Sequence, residues 1–388
     1  MFVLKNKFLS VLVFSCTFLF VLYITPGQAT CTKQSCKLIV VGDMGIGEDS
    51  FNKGFERVQS HMLRERPDVV LYLGDYIYSD FACDKRTNNH SYMDDVKNKL
   101  VTPFLQNKAQ VIFSRGDNDK ISKLYMKRYP ELANATMRCW TQISKMGQRL
   151  KKFDGARYAE GIIDDLPGVF IAVLDNEAFT ERSADSYLWL KKPIRQAKKD
   201  GKWVIVIMHA PVITTAWYPN KCCKTLKPLH QMGVDLVFSG HQHSFERSHP
   251  LRLNGRATQP IISQKPKRNT KRTTHYKANN GVVYFVSGGG GALLRPFADQ
   301  QELPGFLNSK KAPKHIRKAI AHRAIMNHYI SIDLSPKQAS LSTHRICTYG
   351  ESRWKPDSKT IWPKASDMLE CQGKPFGKSL FDHFTLKR

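Results

Sequence analysis

Short apolar runs rich in β-branched residues recur at 38–41, 69–73, 110–113, 169–174, 203–208, 236–238, 282–286 and 329–334. Their length and composition predict buried strands. Between them the pattern changes to a helical period: Phe51, Phe55, Val58 and Met62 fall on one face, and Pro67 ends that segment. Residues 185–199 and 225–232 are the other helix candidates. Strands alternating with helices predict an α/β fold, and the strand-rich later half predicts a second sheet packed on the first. Residues 255–280 are polar, basic and poor in apolar positions, and read as an exposed loop inserted before the strand at 282.

The chain begins with Lys5 and Lys7, an uncharged apolar run over 8–24, and then Pro26-Gly27-Gln28-Ala29. That is the pattern of a secretory signal cleaved after Ala29, with an uncleaved N-terminal membrane anchor as the alternative. No later apolar stretch is long enough to span a bilayer. The expectation is a signal peptide over 1–29, one domain over 30–345 and a C-terminal extension over 346–388 packed on it. The location would be secreted, periplasmic or the lumen of a secretory route. Of the 9 cysteines, the leader removes Cys16 and leaves an even number, which in an exported chain favours disulfides.

The formal charge is +27, and much of the excess lies in 265–277 and 310–323. Such a field attracts phosphorylated small molecules or phosphoproteins and anionic surfaces. Nucleic acid is disfavoured because these stretches lack interleaved aromatics apart from Tyr276.

Chemistry is concentrated where five of the apolar runs end. GDMG stands at 42–45, GDYIY at 74–78, GDND at 116–119, MHAP at 208–211 and GHQHSFER at 240–247. Each glycine lets the backbone turn tightly and present a side chain at the sheet edge. Taken singly, a Gly-Asp turn or a lone histidine is ordinary structure. Five strand ends that all deliver oxygen or imidazole ligands point to a metal centre.

These motifs resemble those of the calcineurin-like metallophosphoesterases, and within them the purple acid phosphatases, whose pattern is DxG, GDxxY, GNHD or GNHE, VxxH and GHxH. The likeness runs from 38 to about 334 and includes YFVSGGGGALL; the tyrosine of GDYIY belongs to the purple branch. It implies a four-layer α/β/β/α sandwich with two packed mixed sheets, and an acid phosphatase that cleaves monoesters by attack of metal-bound hydroxide. It also implies a dinuclear centre: Fe(III) held by Asp43, Tyr78 and His243, a divalent ion (Fe, Zn or Mn) held by His209 and His241, and Asp75 bridging. Carboxylate and phenolate suit a trivalent ion, and imidazoles suit the divalent one. A phosphodiesterase or nucleotide phosphohydrolase, and a noncatalytic scaffold, are the alternatives.

The chain departs from the pattern at 116–119. Asp117 stands where the family has an asparagine ligand; it can still ligate, and it adds negative charge. Asn118 stands where the family has histidine; it can donate a hydrogen bond to a phosphoryl oxygen but cannot deliver a proton to a leaving alkoxide. Residues 212–223 also lack histidine. His90, Tyr218 and Lys221 are the substitute candidates for a general acid, whose loss selects for substrates with good leaving groups.

Overall fold

In the computed structural model the described residues are 31–47, 54–78, 86–87, 90–119, 143–148, 150–151, 160–175, 184–216, 226–253, 260–264, 267–268, 273–295, 297, 312–347 and 377–388. The expected leader, both cysteines at 222–223, Tyr218 and Lys221 lie outside them, as does the side chain of His90. No helix among the described residues is long and apolar enough to cross a membrane.

The strands of the two large sheets are, in chain order, β1 (Cys36–Val41), β2 (Val69–Tyr72), β3 (Gln110–Phe113), β4 (Gly161–Ile163), β5 (Val169–Val173), β6 (Trp203–Ile207), β7 (Leu236–Ser239), β8 (Phe245–Ser248), β9 (Lys267–Arg268), β10 (Thr273–Lys277), β11 (Val283–Ser287), β12 (Ile320–Ala324), β13 (His328–Leu334), β14 (Gln338–Ile346) and β15 (Lys378–Lys387). The 8-stranded sheet runs β9-β10-β15-β14-β13-β1-β2-β3 and the 7-stranded sheet β12-β8-β11-β7-β6-β5-β4. Both are mixed: β1, β2 and β3 are mutually parallel while β13 pairs antiparallel with β1, and β5, β6, β7 and β11 are parallel while β8 pairs antiparallel with β11.

Strand alternation builds the layers. Leu38, Val40, Val69 and Leu71 face Ile171, Val173, Ile205, Ile207 and Phe238 in a core between the sheets. Their neighbours Ile39, Val41, Val70 and Tyr72 face the other way, onto Val58, Met62 and Leu100 of an outer helical layer. Phe170, Val204, Val206 and Val237 pack beneath Leu190, Ile194, Leu229 and Ile316 of the second outer layer. Each fully buried side chain of this kind contributes about 1.5–3 kcal/mol by leaving water. The result is the expected α/β/β/α sandwich.

Helices occupy Gly54–Arg64, Lys191–Lys199 and Leu226–Met232. The segment expected as one helix from 185 starts as a 3-10 turn over Ala184–Leu190 and becomes α-helical at Lys191. Pro193 then falls in the first turn, where its missing N–H costs no hydrogen bond.

Residues 255–280 depart from the expected exposed loop. They contain β10, which pairs in parallel with β15, and Tyr276 is buried with its hydroxyl 2.9 Å from His249 Nδ1. The C-terminal residues are likewise a strand of the large sheet, β15 pairing antiparallel with β14. Its Asp382 takes a bidentate bond from buried Arg247, with Nε–Oδ2 2.5 Å and Nη2–Oδ1 3.0 Å. Breaking such a buried pair from one side costs about 3–5 kcal/mol, so β15 is anchored to the GHQHSFER segment. At the other end Cys31 and Cys36 form a disulfide, and Cys347 is also disulfide-bonded.

Candidate metal centre

Parallel strands deliver their C-terminal ends to one edge, and here two sheets do so side by side. The turns after β1, β2 and β3 carry Asp43, Asp75 and Asp117; those after β6 and β7 carry His209, His241 and His243. Asp43 N–H bonds Gly74 O at 3.0 Å and Met44 N–H bonds Asp75 O at 2.9 Å, which ties the first two turns together. Asp43, Asp75 and His241 all have left-handed backbone, with φ of 61°, 54° and 67°. Non-glycine residues adopt this at a cost of about 1–3 kcal/mol each, and they persist where the surroundings over-determine them.

One cluster is Asp43, Tyr78 and His243. The Tyr78 hydroxyl donates to Asp43 Oδ1 at 2.9 Å and lies 3.0 Å from His243 Nε2, which is 3.4 Å from the same carboxylate oxygen. His243 Nδ1 donates to the Leu293 carbonyl, so its Nε2 lone pair faces the cluster. Asp43 is fully buried and also accepts the His241 backbone N–H at 2.8 Å.

The second cluster is Asp75, Asp117, His209 and His241, whose ligand atoms all lie within 4.8 Å of one another. Asp117 Oδ1 is 2.7 Å from His209 Nε2 and 2.9 Å from His241 Nδ1; those two nitrogens are 3.2 Å apart, and Asp75 Oδ2 is 3.3 Å from His209 Nε2. His209 Nδ1 donates to Leu73 O at 2.7 Å, which fixes Nε2 as the inward atom. Burial alone would lower the pKa of His209, but Asp75 and Asp117 outweigh it and hold the ring well above its ordinary value. Partial desolvation would raise Asp117, yet its bonds to His209 and His241 keep it well below the usual carboxylate range. The donor set fits a divalent ion, and the hard oxygens of the first cluster fit a trivalent one.

The GDND segment shapes this half. Asn118 donates twice to Asp75, from its N–H to Oδ1 at 2.8 Å and from Nδ2 to Oδ2 at 2.6 Å. A Cβ at Gly116 would lie 2.0 Å from Asp75 Oδ1, so only glycine leaves the carboxylate its place. Asp119 is buried and accepts the N–H groups of Asp75 (2.9 Å), Gly116 (2.8 Å) and Tyr76 (3.1 Å). Burial and the Asp75 charge push its carboxyl up to about 7.

Three supporting residues had no role assigned from sequence. Asp119 was visible only as the last letter of GDND. Arg115, beside that motif, pairs with buried Asp175 after β5 and so ties the β3 turn to the second sheet. Glu246, inside GHQHSFER, accepts the Thr215 N–H at 2.9 Å and holds the chain that follows MHAP; Arg323 donates to the same threonine at 3.0 Å. The glycine run at 288–291 packs backbone to backbone here, Gly290 N–H bonding Gly42 O at 2.9 Å.

The profile of the family described as calcineurin-like phosphoesterase matches residues 36–245. Purple acid phosphatase 15 of Arabidopsis thaliana is 22% identical over 290 residues, covering 69% of this chain and 47% of its own length. The phosphoenolpyruvate phosphatase of Allium cepa is 24% identical over 226 residues, covering 55% of this chain and 42% of its own. This chain thus spans less than half the length of these two curated relatives. Among solved structures, purple acid phosphatase PPD1 from yellow lupin (Lupinus luteus) seeds has a TM-score of 0.57 at 16% identity, covering 94% of this chain and 55% of that one. That likeness is one of fold.

Proposed function

The chain belongs to the calcineurin-like phosphoesterases, and from that premise we propose that it is an exported dinuclear-metal acid phosphatase hydrolysing phosphate monoesters. The observation that carries this reading is the adjacency of two donor clusters of different hardness, Asp43–Tyr78–His243 and Asp75–Asp117–His209–His241, linked by the His241 N–H on Asp43. Export is supported by the leader pattern over 1–29 and by the Cys31–Cys36 disulfide.

Asp43, Tyr78 and His243 would hold Fe(III), Asp117, His209 and His241 a divalent ion of iron, zinc or manganese, and Asp75 would serve both. When bound, two such ions supply an activated water and neutralise charge on the phosphoryl group. The protein's own contribution is orientation. Leu73 O and Leu293 O aim the imidazoles, and Asn118 and the turn beneath it fix both oxygens of Asp75. Asn118 sits at the edge of the half-exposed Asp117 and can also donate to a phosphoryl oxygen. It has no proton to give a leaving alkoxide, so aryl monoesters and anhydrides should turn over faster than alkyl monoesters. The excess of cations would raise the local concentration of phosphorylated substrates.

The reading is tested by hydrolysis of p-nitrophenyl phosphate against bis(p-nitrophenyl) phosphate, with glycerol phosphate alongside. Faster turnover of the monoester and slow turnover of the glycerol ester is the expected result. Preference for the diester would make the protein a phosphodiesterase, and equal rates on the aryl and alkyl monoesters would remove the role given to Asn118.

A further inference from the structure

The outer layers of the sandwich carry different charge. Over the 8-stranded sheet, acids are interleaved with the cations and several pair, Lys99 with Glu56 at 3.2 Å and Asp95 at 3.0 Å and Lys37 with Glu65 at 2.8 Å, while Arg64, Arg66, Lys97 and Lys108 are exposed without an ion pair among the described residues. Over the 7-stranded sheet, the helices Lys191–Lys199, Leu226–Met232 and Lys314–Ala319 read KKPIRQAKK, LKPLHQM and KHIRKA, without one acidic residue. Their apolar residues Ile194, Ala197, Leu229, Ile316 and Ala319 all enter one core cluster beneath them. Lys198 turns inward to pair with Asp235 at 2.6 Å, but the other cations are left on the outside: Lys191, Lys192, Arg195, Lys199, Lys227, Lys314, Arg317 and Lys318 are exposed, and none of these makes an ion pair among the described residues.

Two large apolar side chains stand out of the same layer, against one, Leu105, in the helices over the 8-stranded sheet. Leu188 is 56% exposed at the entry to the first basic helix, in line with Lys191, Lys192, Arg195 and Lys199 at spacings of about one helical turn. Ile261 is 42% exposed on a ribbon formed by Leu251–Leu253 and Pro260–Ile262, whose Ile262 and Leu253 pack against the cluster that holds Ile316. Cations spread over a layer of helices, with isolated aliphatic side chains projecting among them, match an anionic bilayer surface: the charges meet the headgroups and the aliphatic groups enter the interface. No aromatic is among the large exposed side chains of the described residues, so the layer offers no stacking platform for bases.

We propose that the helical layer over the 7-stranded sheet docks the protein on an anionic phospholipid bilayer. The interaction does not depend on the metal centre. Juxtamembrane cations contribute about fivefold each to binding, so removal of four should weaken it by about a hundredfold or more.

The test is co-sedimentation of the full chain with phosphatidylcholine vesicles, with and without phosphatidylserine. Wild type should sediment with the anionic vesicles only. The variant K191Q/K192Q/R195Q/K199Q, folded by circular dichroism, should lose that binding. The matched variant R64Q/R66Q/K97Q/K108Q, which removes four exposed cations from the opposite layer, and D75A, altered in the metal centre, should keep it. Failure of wild type to bind, or retention of binding by the fourfold variant, overturns the proposal. So does equal loss in R64Q/R66Q/K97Q/K108Q, which would mean diffuse net charge, or loss in D75A, which would mean capture of headgroup phosphate by the metal centre. Tighter retention of a single-stranded oligonucleotide by the same four cations would assign the face to nucleic acid instead.

Discussion

Asp43, Tyr78 and His243 meet at the strand ends with Asp43 and His243 0% and 1% exposed and Tyr78 part-buried, while the neighbouring cluster opens outward through Asp117, whose side chain is 47% exposed. The buried cluster has one carboxylate, one phenol and one imidazole; the open one has two carboxylates and two imidazoles. Both are aimed by backbone carbonyls in the same way, through Leu293 and Leu73. The closed half keeps the family pattern residue for residue, and both departures, Asp117 and Asn118, fall at the open half. A closed site has to satisfy its buried charges internally, so a substitution there is costly. An open site can exchange an amide for a carboxylate and let solvent moderate the change, which makes it the place where substrate preference and metal affinity can drift.

The largest effect should come from the residue that would join the halves. Asp75→Ala is expected to empty both, lowering turnover of p-nitrophenyl phosphate by roughly 10³ or more, beyond the loss of a single stabilising donor. Metal analysis of the same variant should find fewer than two ions per chain; full occupancy would mean that the halves do not share this carboxylate.

Restoring histidine at 118 should sharpen the contrast next. A general acid is commonly worth about 10²–10⁴ in rate, so Asn118→His should narrow the gap between p-nitrophenyl phosphate and glycerol phosphate by roughly tenfold to a hundredfold. An unchanged ratio would show that Asn118 acts only by holding Asp75.

Asp117→Asn should weaken only the open half. One unit of charge about 4 Å from a divalent ion contributes about 2 kcal/mol even with water-like screening, or roughly thirtyfold in affinity for Zn(II) or Mn(II), readable by calorimetry. Acid should weaken the same half. Because the pKa of His209 is raised by its carboxylate neighbours, metal uptake must displace a proton until the pH exceeds that pKa. Divalent affinity should therefore fall with falling pH and with proton uptake on release; a pH-independent affinity would contradict this arrangement.

The smallest change is expected from Tyr78→Phe. It should abolish a tyrosinate-to-iron absorption band while the open half keeps its ion. Survival of that band would place another phenolate on the iron.

Much of the frame was legible because it depends on local pattern. β1, β2, β3, β5, β6, β7, β11 and β13 follow the apolar runs to within a residue or two, since fully buried strands are near-continuous in apolar sequence. Strands toward the margin of the sheet are less legible: β10 reads TTHYK, with one buried large apolar residue, Tyr276, and its identity as a strand depends on pairing with β15 more than 100 residues away. The ligand types at the strand ends were visible as motifs. Their backbone was not, because nothing in the letters shows that Asp43, Asp75 and His241 must be left-handed. Nor could spacing show that Asn118 would turn onto Asp75, or that Asp119, Arg115 and Glu246 would brace the turns from behind, because each of these bonds joins segments set by different strands.

The most direct measurement is metal content and phosphatase turnover on one preparation of the purified protein, with Asp75→Ala prepared in parallel. Two ions per chain, hydrolysis of p-nitrophenyl phosphate by wild type and its loss in the variant are the predicted results. Folded protein that holds no metal would contradict the site, and two bound ions with turnover no higher than that of Asp75→Ala would contradict the catalytic role.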